Sequence, residues 1–426
     1  MPDNPVTEHT TTRRTFMGQA AALGVGALAA GALSARAADV APLRVGLIGC
    51  GRRGTGAAND CMKASENVTI SAAGDLFPDA LEAGLEKLRR LGDRFTAAPE
   101  SCFSGWDAYQ RVIDSDVDVV LLCEPPGFRP LTLRAAVEAG KHVFMEKPAA
   151  VDPAGVRSVL ESARMAEEKG LSIVAGTQRR HQPCYRDIVQ RIHDGAIGDI
   201  VSAACYWIGD YDYYPAVPRQ ADWSDMEWQI RNWNYFTWLS GDHIVEQHLH
   251  NIDVINWVLG AHPIKAVGMG GRAQRTGPEY GHIYDHFSVE FEYPGDIRVQ
   301  SLCRQNKDTY RRVGEYIVGT KGASDAARNI TGAEQYQFQG QDANPYQQEH
   351  ANLIAAIRAG EPLNEGRALA ESTLAAVMGR MSAYTGQEVA WDWALNESQL
   401  DLTPPAWKMG PLPVPPVAVP GIDGLV

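Results

Sequence analysis

The sequence predicts an α/β chain: an N-terminal doubly wound parallel sheet, followed by a second, α+β domain built on an open, mostly antiparallel sheet. Three observations carry this. Short apolar runs alternate with helical stretches through the first part of the chain, the first run flows directly into Gly49-Cys50-Gly51-Arg52-Arg53-Gly54, and from Ile200 onward the pattern changes to alternating strands. A chain of 426 residues with 45% hydrophobic content can fill two cores. Its formal charge of -13 argues against nucleic acid or an anionic membrane surface as partner and fits a neutral polar small molecule better.

In chain order, residues 1–37 read as a removable signal. Thr12-Arg13-Arg14-Thr15-Phe16-Met17 resembles the twin-arginine export motif, an Ala/Gly-rich apolar stretch follows from Gly18 to Leu33, and Ala35-Arg36-Ala37 forms an A-x-A cleavage site. The expectation is export to a periplasmic or extracellular location, with no membrane association once the signal is removed. The twin-arginine route carries folded proteins, so a nucleotide enzyme exported this way would leave with its cofactor tightly bound and recycle it in place. The seven cysteines contain no C-x-x-C pair and do not form a disulfide framework.

Residues 41–180 are expected to form a nucleotide-binding Rossmann domain. Leu43 to Ile48 is a short buried strand running into G-x-G-x-x-G, with a helix beyond it. Gly49 permits the tight turn, Gly51 lets the backbone approach a pyrophosphate and Gly54 lets helix and strand pack closely. The helix N-terminus favours the phosphate charge. The next strand, Val68 to Gly74, ends in Asp75, placed to accept hydrogen bonds from the adenosine ribose and to repel a 2′-phosphate. This favours NAD, while Arg52 and Arg53 leave NADP open. Val117 to Cys123 is a third strand, ending at Glu124-Pro125-Pro126, and Lys141 to Glu146 leads to Lys147 and Pro148. A lysine at the carboxyl end of a parallel strand sits where open α/β sheets bind ligands. A helix near Ala154 to Glu168 and a strand at Ser172 to Gly176 complete this half.

The glycine fingerprint, the strand ending in Pro-Pro, and Gly140-Lys141-His142-Val143 leading to Glu146-Lys147-Pro148 resemble the glucose-fructose oxidoreductase, inositol dehydrogenase and MocA family across nearly all of the chain after the signal. The resemblance implies a nicotinamide cofactor and a Lys/His acid/base pair. Glu349 to Ala359 and Ala368 to Thr385 read as amphipathic helices, and the resemblance implies that they return to cover the nucleotide domain. The cofactor contacts expected are Gly49, Gly51, Arg52, Arg53, Gly54, Asp75, Pro125, Glu146 and Lys147.

Residues 181–390 are expected to carry the substrate, on strands including Val201 to Trp207, Ile264 to Gly270, Phe287 to Tyr293, Ile297 to Cys303 and Glu315 to Gly319. Between the first two lies an aromatic-rich insertion with Trp207, Trp223, Trp228, Trp233 and Trp238, half of the chain's ten tryptophans. Asp210, Tyr211, Asp212, Tyr213 and Tyr214 are interleaved with them. Aromatic faces beside hydrogen-bonding groups suit a sugar, and the same rings could instead pack a long loop or a subunit contact.

The second chemical cluster runs from Gly241 to Asp253. The resembled family carries Asp-x-Gly-x-His here. His250 matches the His, whereas Glu246 stands at the Asp and His248 at the Gly. On one continuous helix Glu246, His250 and Asp253 would share a face. A carboxylate orients an imidazole for proton removal from an alcohol, so the catalytic residues expected are Lys147, His250 and Glu246. Trp233, Tyr235, Asp253 and His248 are candidate substrate contacts. A metal held by His243, Glu246 and His250 is the lesser alternative, and no metal is expected.

The function expected is an NAD(P)-dependent oxidoreductase moving hydride between a retained nicotinamide and a hydroxyl of a sugar, cyclitol or glycoside. One alternative is an NAD-dependent glycosidase working by transient C3 oxidation and elimination. A non-catalytic sugar- or nucleotide-binding module is the other. A homo-oligomer is expected. Residues 391–426 read as a proline-rich extended tail that lies across a neighbouring subunit or moves freely.

Overall fold

The computed structural model describes residues 42–209 and 214–426. Residues 1–37, read above as a signal, and the insertion residues Asp210, Tyr211, Asp212 and Tyr213 lie outside them. Residues 42–426 form one compact unit containing both sheets.

The first sheet holds β1 (Leu43–Ile48), β2 (Val68–Asp75), β3 (Cys102–Ser104), β4 (Val119–Leu122), β5 (His142–Met145) and β6 (Ile173–Ala175), in the order β3-β2-β1-β4-β5-β6. Every pair is parallel. Helices cover both faces, so the central strands are mostly apolar: all four residues of β4 are buried. Strand order reverses between β1 and β4, and the crevice at their carboxyl ends is where such sheets take ligands. β3 was not expected; three residues give too short a period to read.

The second sheet holds β7 (Ile200–Gly209), β8 (Lys265–Gly271), β9 (His286–Tyr293), β10 (Ile297–Gln305), β11 (Arg312–Gly319), β12 (Gly322–Ser324), β13 (Asn329–Gly332), β14 (Tyr336–Gln337) and β15 (Val389–Ala390). Its order is β14-β13-β12-β11-β7-β10-β9-β8-β15. It is antiparallel except for the central pair β7 and β10. In β9 and β10 buried and more exposed residues alternate, as expected for a sheet with one covered face.

The helix Gly366–Thr385 differs from the amphipathic reading. It is buried almost all round, because it packs on the helix Pro153–Glu168 of the nucleotide half and on β8 of the second sheet. Within it the buried Arg380 donates to the carbonyls of Val151 at 2.8 Å and Gly241 at 3.0 Å, tying the two halves together. The helix Pro345–Ala359 packs on the glycine-loop helix Arg52–Ala64.

The tail also departs from expectation by packing on its own chain. The Leu402 N–H donates to Asp152 at 2.7 Å, Gln229 donates to the Leu412 carbonyl at 2.6 Å and the Tyr284 hydroxyl donates to the Ala418 carbonyl at 2.9 Å. Its prolines remove backbone donors without removing acceptors, so it is held by side chains of the globule rather than by a ladder. All seven cysteines carry free thiols, and no helix among the described residues is long and apolar enough to cross a membrane.

Burial holds two histidines neutral, pushing His248 down to about 3 and His282 down to about 4. In the unfolded chain they titrate near 6.5, so between pH 6.5 and 3 the unfolded state binds more protons and stability falls as pH falls. Each contributes a loss of about 1.4 kcal/mol per pH unit inside its window. Denaturant unfolding at pH 7, 6, 5 and 4 should show that decline, with a shallower slope in His282→Gln.

Candidate active site

The loop after β1 is shaped by contact, not by glycine's freedom alone. Gly49 has φ +89°, and a Cβ there would lie 2.7 Å from the Cys123 carbonyl carbon at the end of β4. A Cβ at Gly54 would lie 1.8 Å from the Gly49 carbonyl oxygen, so strand and helix can touch only without it. At Gly51 a Cβ would meet no protein atom within 4 Å. No crowding from the chain explains that glycine, and open space before a helix N-terminus fits a pyrophosphate.

Gly49 and Gly51 border a cleft of about 1030 Å³. Beside the glycine loop, Asp75 accepts the Cys50 N–H at 2.8 Å and the Phe77 N–H at 3.0 Å. Burial raises the pKa of its carboxyl, and these bonds partly oppose the rise. A carboxylate has about four acceptor positions, so ribose hydroxyls can still be accepted. Arg52 and Arg53 both line the cleft, and Arg53 is also engaged by carboxylates. Its guanidinium pairs with Glu146, with Glu349 at 3.4 Å and with Asp60 at 3.6 Å, and lies 5.1 Å from the Tyr346 ring. That set of carboxylates would compete with a 2′-phosphate for the Arg53 guanidinium. Glu349 is fully buried, and burial together with neighbouring Glu146 pushes its pKa well up.

The opposite wall is built where the two halves meet. Lys147, joined to Pro148 by a cis peptide, donates to Glu246 Oε1 at 2.9 Å and to the Glu246 backbone carbonyl. Lys147, Glu246 and His250 all line the cleft, with Gln247 beside them. The segment is not one continuous helix. His243–Glu246 and Leu249–Leu259 are separated by a turn, where the N–H groups of both Gln247 and His248 reach the His243 carbonyl. The break turns Glu246 toward Lys147, and no Glu246–His250 hydrogen bond forms among the described residues.

His250 stacks on Trp207 with ring centres 5.8 Å apart, and its Nδ1 is buried without a partner, as is Glu246 Oε2. Burial first, then the charges of Lys147, Arg179 and Arg53, holds the His250 pKa well below 6.5. The ring is a neutral acceptor at ordinary pH.

Three expected substrate contacts lie elsewhere. Asp253 is buried in a bidentate pair with Arg180 at 2.8 and 2.9 Å and accepts the Ser372 hydroxyl at 2.8 Å. Arg180 holds Asp253 away from the cleft, although His250, three positions earlier on the same helix, lines it. His248 is buried with Nε2 2.7 Å from the Ser301 hydroxyl, and Tyr235 is buried with its hydroxyl on the Tyr214 carbonyl. Trp233 does line the cleft, set edge-on to Tyr214 at 5.0 Å. Trp223 and Trp207 border it too, while Trp228 packs edge-on to Phe236 beneath the insertion.

Sequence reading missed Gln247, Tyr346 and Trp407. Gln247 adjoins the catalytic pattern and could have been found there. Trp407, in the tail, carried no local signal. His243 is buried against Asp242 at 3.1 Å, and no group of three metal-ligating side chains gathers among the described residues.

Comparison with known proteins gives two adjoining family matches. Residues 43–175 match the family described as "Oxidoreductase family, NAD-binding Rossmann fold" and residues 185–324 the "GFO/IDH/MocA C-terminal domain". The chain is 24% identical over 210 residues to mouse trans-1,2-dihydrobenzene-1,2-diol dehydrogenase, covering 49% of this chain and 55% of that one. It is 31% identical over 156 residues to inositol 2-dehydrogenase 4 of Saccharopolyspora erythraea, covering 37% and 42%. These matches therefore span about half the relatives' length. The crystal structure of scyllo-inositol dehydrogenase from Lactobacillus casei with bound NAD(H) and scyllo-inositol superposes with a TM-score of 0.63 at 20% identity, over 82% of this chain and 99% of that one.

Asp253→Ala would strand a buried Arg180 guanidinium and should destabilise the protein by about 3–5 kcal/mol. Titration with NADH, followed by cofactor fluorescence below the melting temperature, should show nucleotide affinity unchanged within about threefold, since 1.4 kcal/mol is a tenfold effect.

Proposed function

We propose, for a chain that belongs to the GFO/IDH/MocA oxidoreductase family, NAD-dependent oxidation and reduction of a CH–OH group on a sugar, cyclitol or glycoside. The observation that carries this is the cleft itself: the glycine loop and Asp75 on one side, Lys147, Glu246 and His250 on the other. The names of the dehydrogenase relatives support the alcohol chemistry, and Trp207, Trp223 and Trp233 offer apolar faces for sugar C–H surfaces.

NAD, when bound, supplies the hydride acceptor. Gly49, Gly51 and Asp75 hold its pyrophosphate and ribose. The chain's own groups do the proton work. Lys147, fixed by Glu246, donates a hydrogen bond to the substrate hydroxyl oxygen and stabilises the negative charge that grows there as the proton leaves. His250, kept neutral by burial and three cations, accepts that proton, and the same cations make the imidazolium release it again. In the reducing direction His250 returns the proton to the oxygen. Glu246 positions Lys147 and balances its charge.

With Arg53 engaged by carboxylates, the preference is for NAD over NADP. The chain is read as exported folded by the twin-arginine route, cofactor tightly bound, and working as a homo-oligomer. Hydride exchange between two sugars would then regenerate the cofactor in place.

The deciding experiment follows absorbance at 340 nm of the purified chain with NAD during addition of sugars, cyclitols and aryl glycosides. Reduction that persists until a second sugar is added is the expected result. Release of aglycone without lasting reduction would replace the reading with redox-assisted glycoside cleavage. Lys147→Ala should lower kcat/KM by about 10²–10⁴-fold with nucleotide affinity retained. Because His250 titrates well below 6.5, the acid limb of kcat/KM should also fall below pH 6.5; a limb at or above 6.5 would remove His250 as the base.

A further inference from the structure

The cleft extends past Asp75 to an end that the nucleotide reading does not yet use. There, Trp106 from the loop after β3 and Phe128 from the turn after β4 lie with ring centres 6.4 Å apart and planes tilted by 53°. The third wall comes from the tail. Trp407 lies 5.2 Å from Phe128, 6.2 Å from Trp106 and 6.4 Å from Trp238, and itself lines the cleft.

Trp407 sits in the middle of a segment pinned at both ends. On one side, the Leu402 N–H donates to Asp152 Oδ2 at 2.7 Å. On the other, the Leu412 N–H donates to Asp225 Oδ2 at 3.0 Å, Gln229 donates to the Leu412 carbonyl at 2.6 Å and the Met226 N–H donates to the Gly410 carbonyl at 3.1 Å. Asp152 caps one helix of the nucleotide half and Asp225 opens a helix of the aromatic insertion, so the segment crosses the cleft as a strap.

We propose that the strap from Leu402 to Leu412 closes the adenosine end of the nucleotide site, with Trp407 stacking on the adenine, and that it slows cofactor release. This rests on the nucleotide reading above and adds the residue and segment that retain the ligand. The chemistry follows from position. With pyrophosphate at Gly51 and ribose at Asp75, the base attached to that ribose falls beyond Asp75, among flat apolar rings. A purine presents two π faces, and aromatic side chains bind such faces by stacking. For the base to leave, Trp407 must move, and the pinned ends resist that movement.

The test measures NADH release by displacement with excess NAD, and equilibrium binding of AMP and of nicotinamide mononucleotide by calorimetry. In Trp407→Ala, NADH should leave on the order of tenfold faster or more, and AMP should bind weaker by a similar factor. Nicotinamide mononucleotide should bind unchanged, and Trp407→Phe should recover most of the loss. Asp225→Ala unpins the strap without touching the cleft and should also speed NADH release, which decides the matter if Trp407→Ala fails to fold. Folded variants that release NADH and bind AMP as the unmodified chain does would overturn the strap. Failure of the unmodified chain to bind any of the three ligands would instead overturn the nucleotide reading.

Discussion

The ion pair between Lys147 and Glu246 is the contact on which the site depends. Lys147 stands at the end of β5 in the parallel sheet, and Glu246 ends a helical turn packed on the second sheet. Their side chains are 12% and 5% exposed, so each charge has left most of its water and needs the other. Without the pair the cleft would hold an uncompensated charge beside His250. The pair therefore sets the spacing between the two halves and also the chemistry at their junction.

Other buried charges brace this junction. Arg380 holds the backbone at Val151 and Gly241, on either side of the cleft's catalytic wall. Arg53 joins Glu146, the residue before Lys147, to Glu349 on a late helix. Arg180 holds Asp253 just beyond the turn. Lys147, Arg179 and Arg53 leave His250 in a positive surround, which together with burial keeps its imidazole neutral.

The nucleotide half was legible to within a residue or two, because a buried parallel strand is an unbroken apolar run and the glycine positions answer to backbone contacts at close range. Lys147, Glu246 and His250 were also legible, from their family spacing. Asp253, His248 and Tyr235 were misplaced because each is held by a partner outside its own local pattern: Arg180, Ser301 and the Tyr214 carbonyl. The Glu246–His250 spacing failed for a different reason: periodicity assumes a continuous helix, and across the turn at Gln247–His248 a four-residue spacing no longer means a shared face. The short strands β3, β12, β13, β14 and β15 were invisible because two to four residues cannot show a period.

What the sequence determined by itself was the set of groups available: a glycine loop at the end of a strand, an acidic residue closing the next strand, and a lysine and a histidine that reach one cleft. Each of these is local, carried by a few adjacent residues and the strand or turn that holds them. Tertiary structure alone decided which groups meet. It paired Lys147 with Glu246 across 99 positions, spent Arg53 on carboxylates, and brought Trp407 from a proline-rich tail to the wall of the cleft. Such pairings depend on how two sheets pack around shared helices, and no pattern within one segment records that packing.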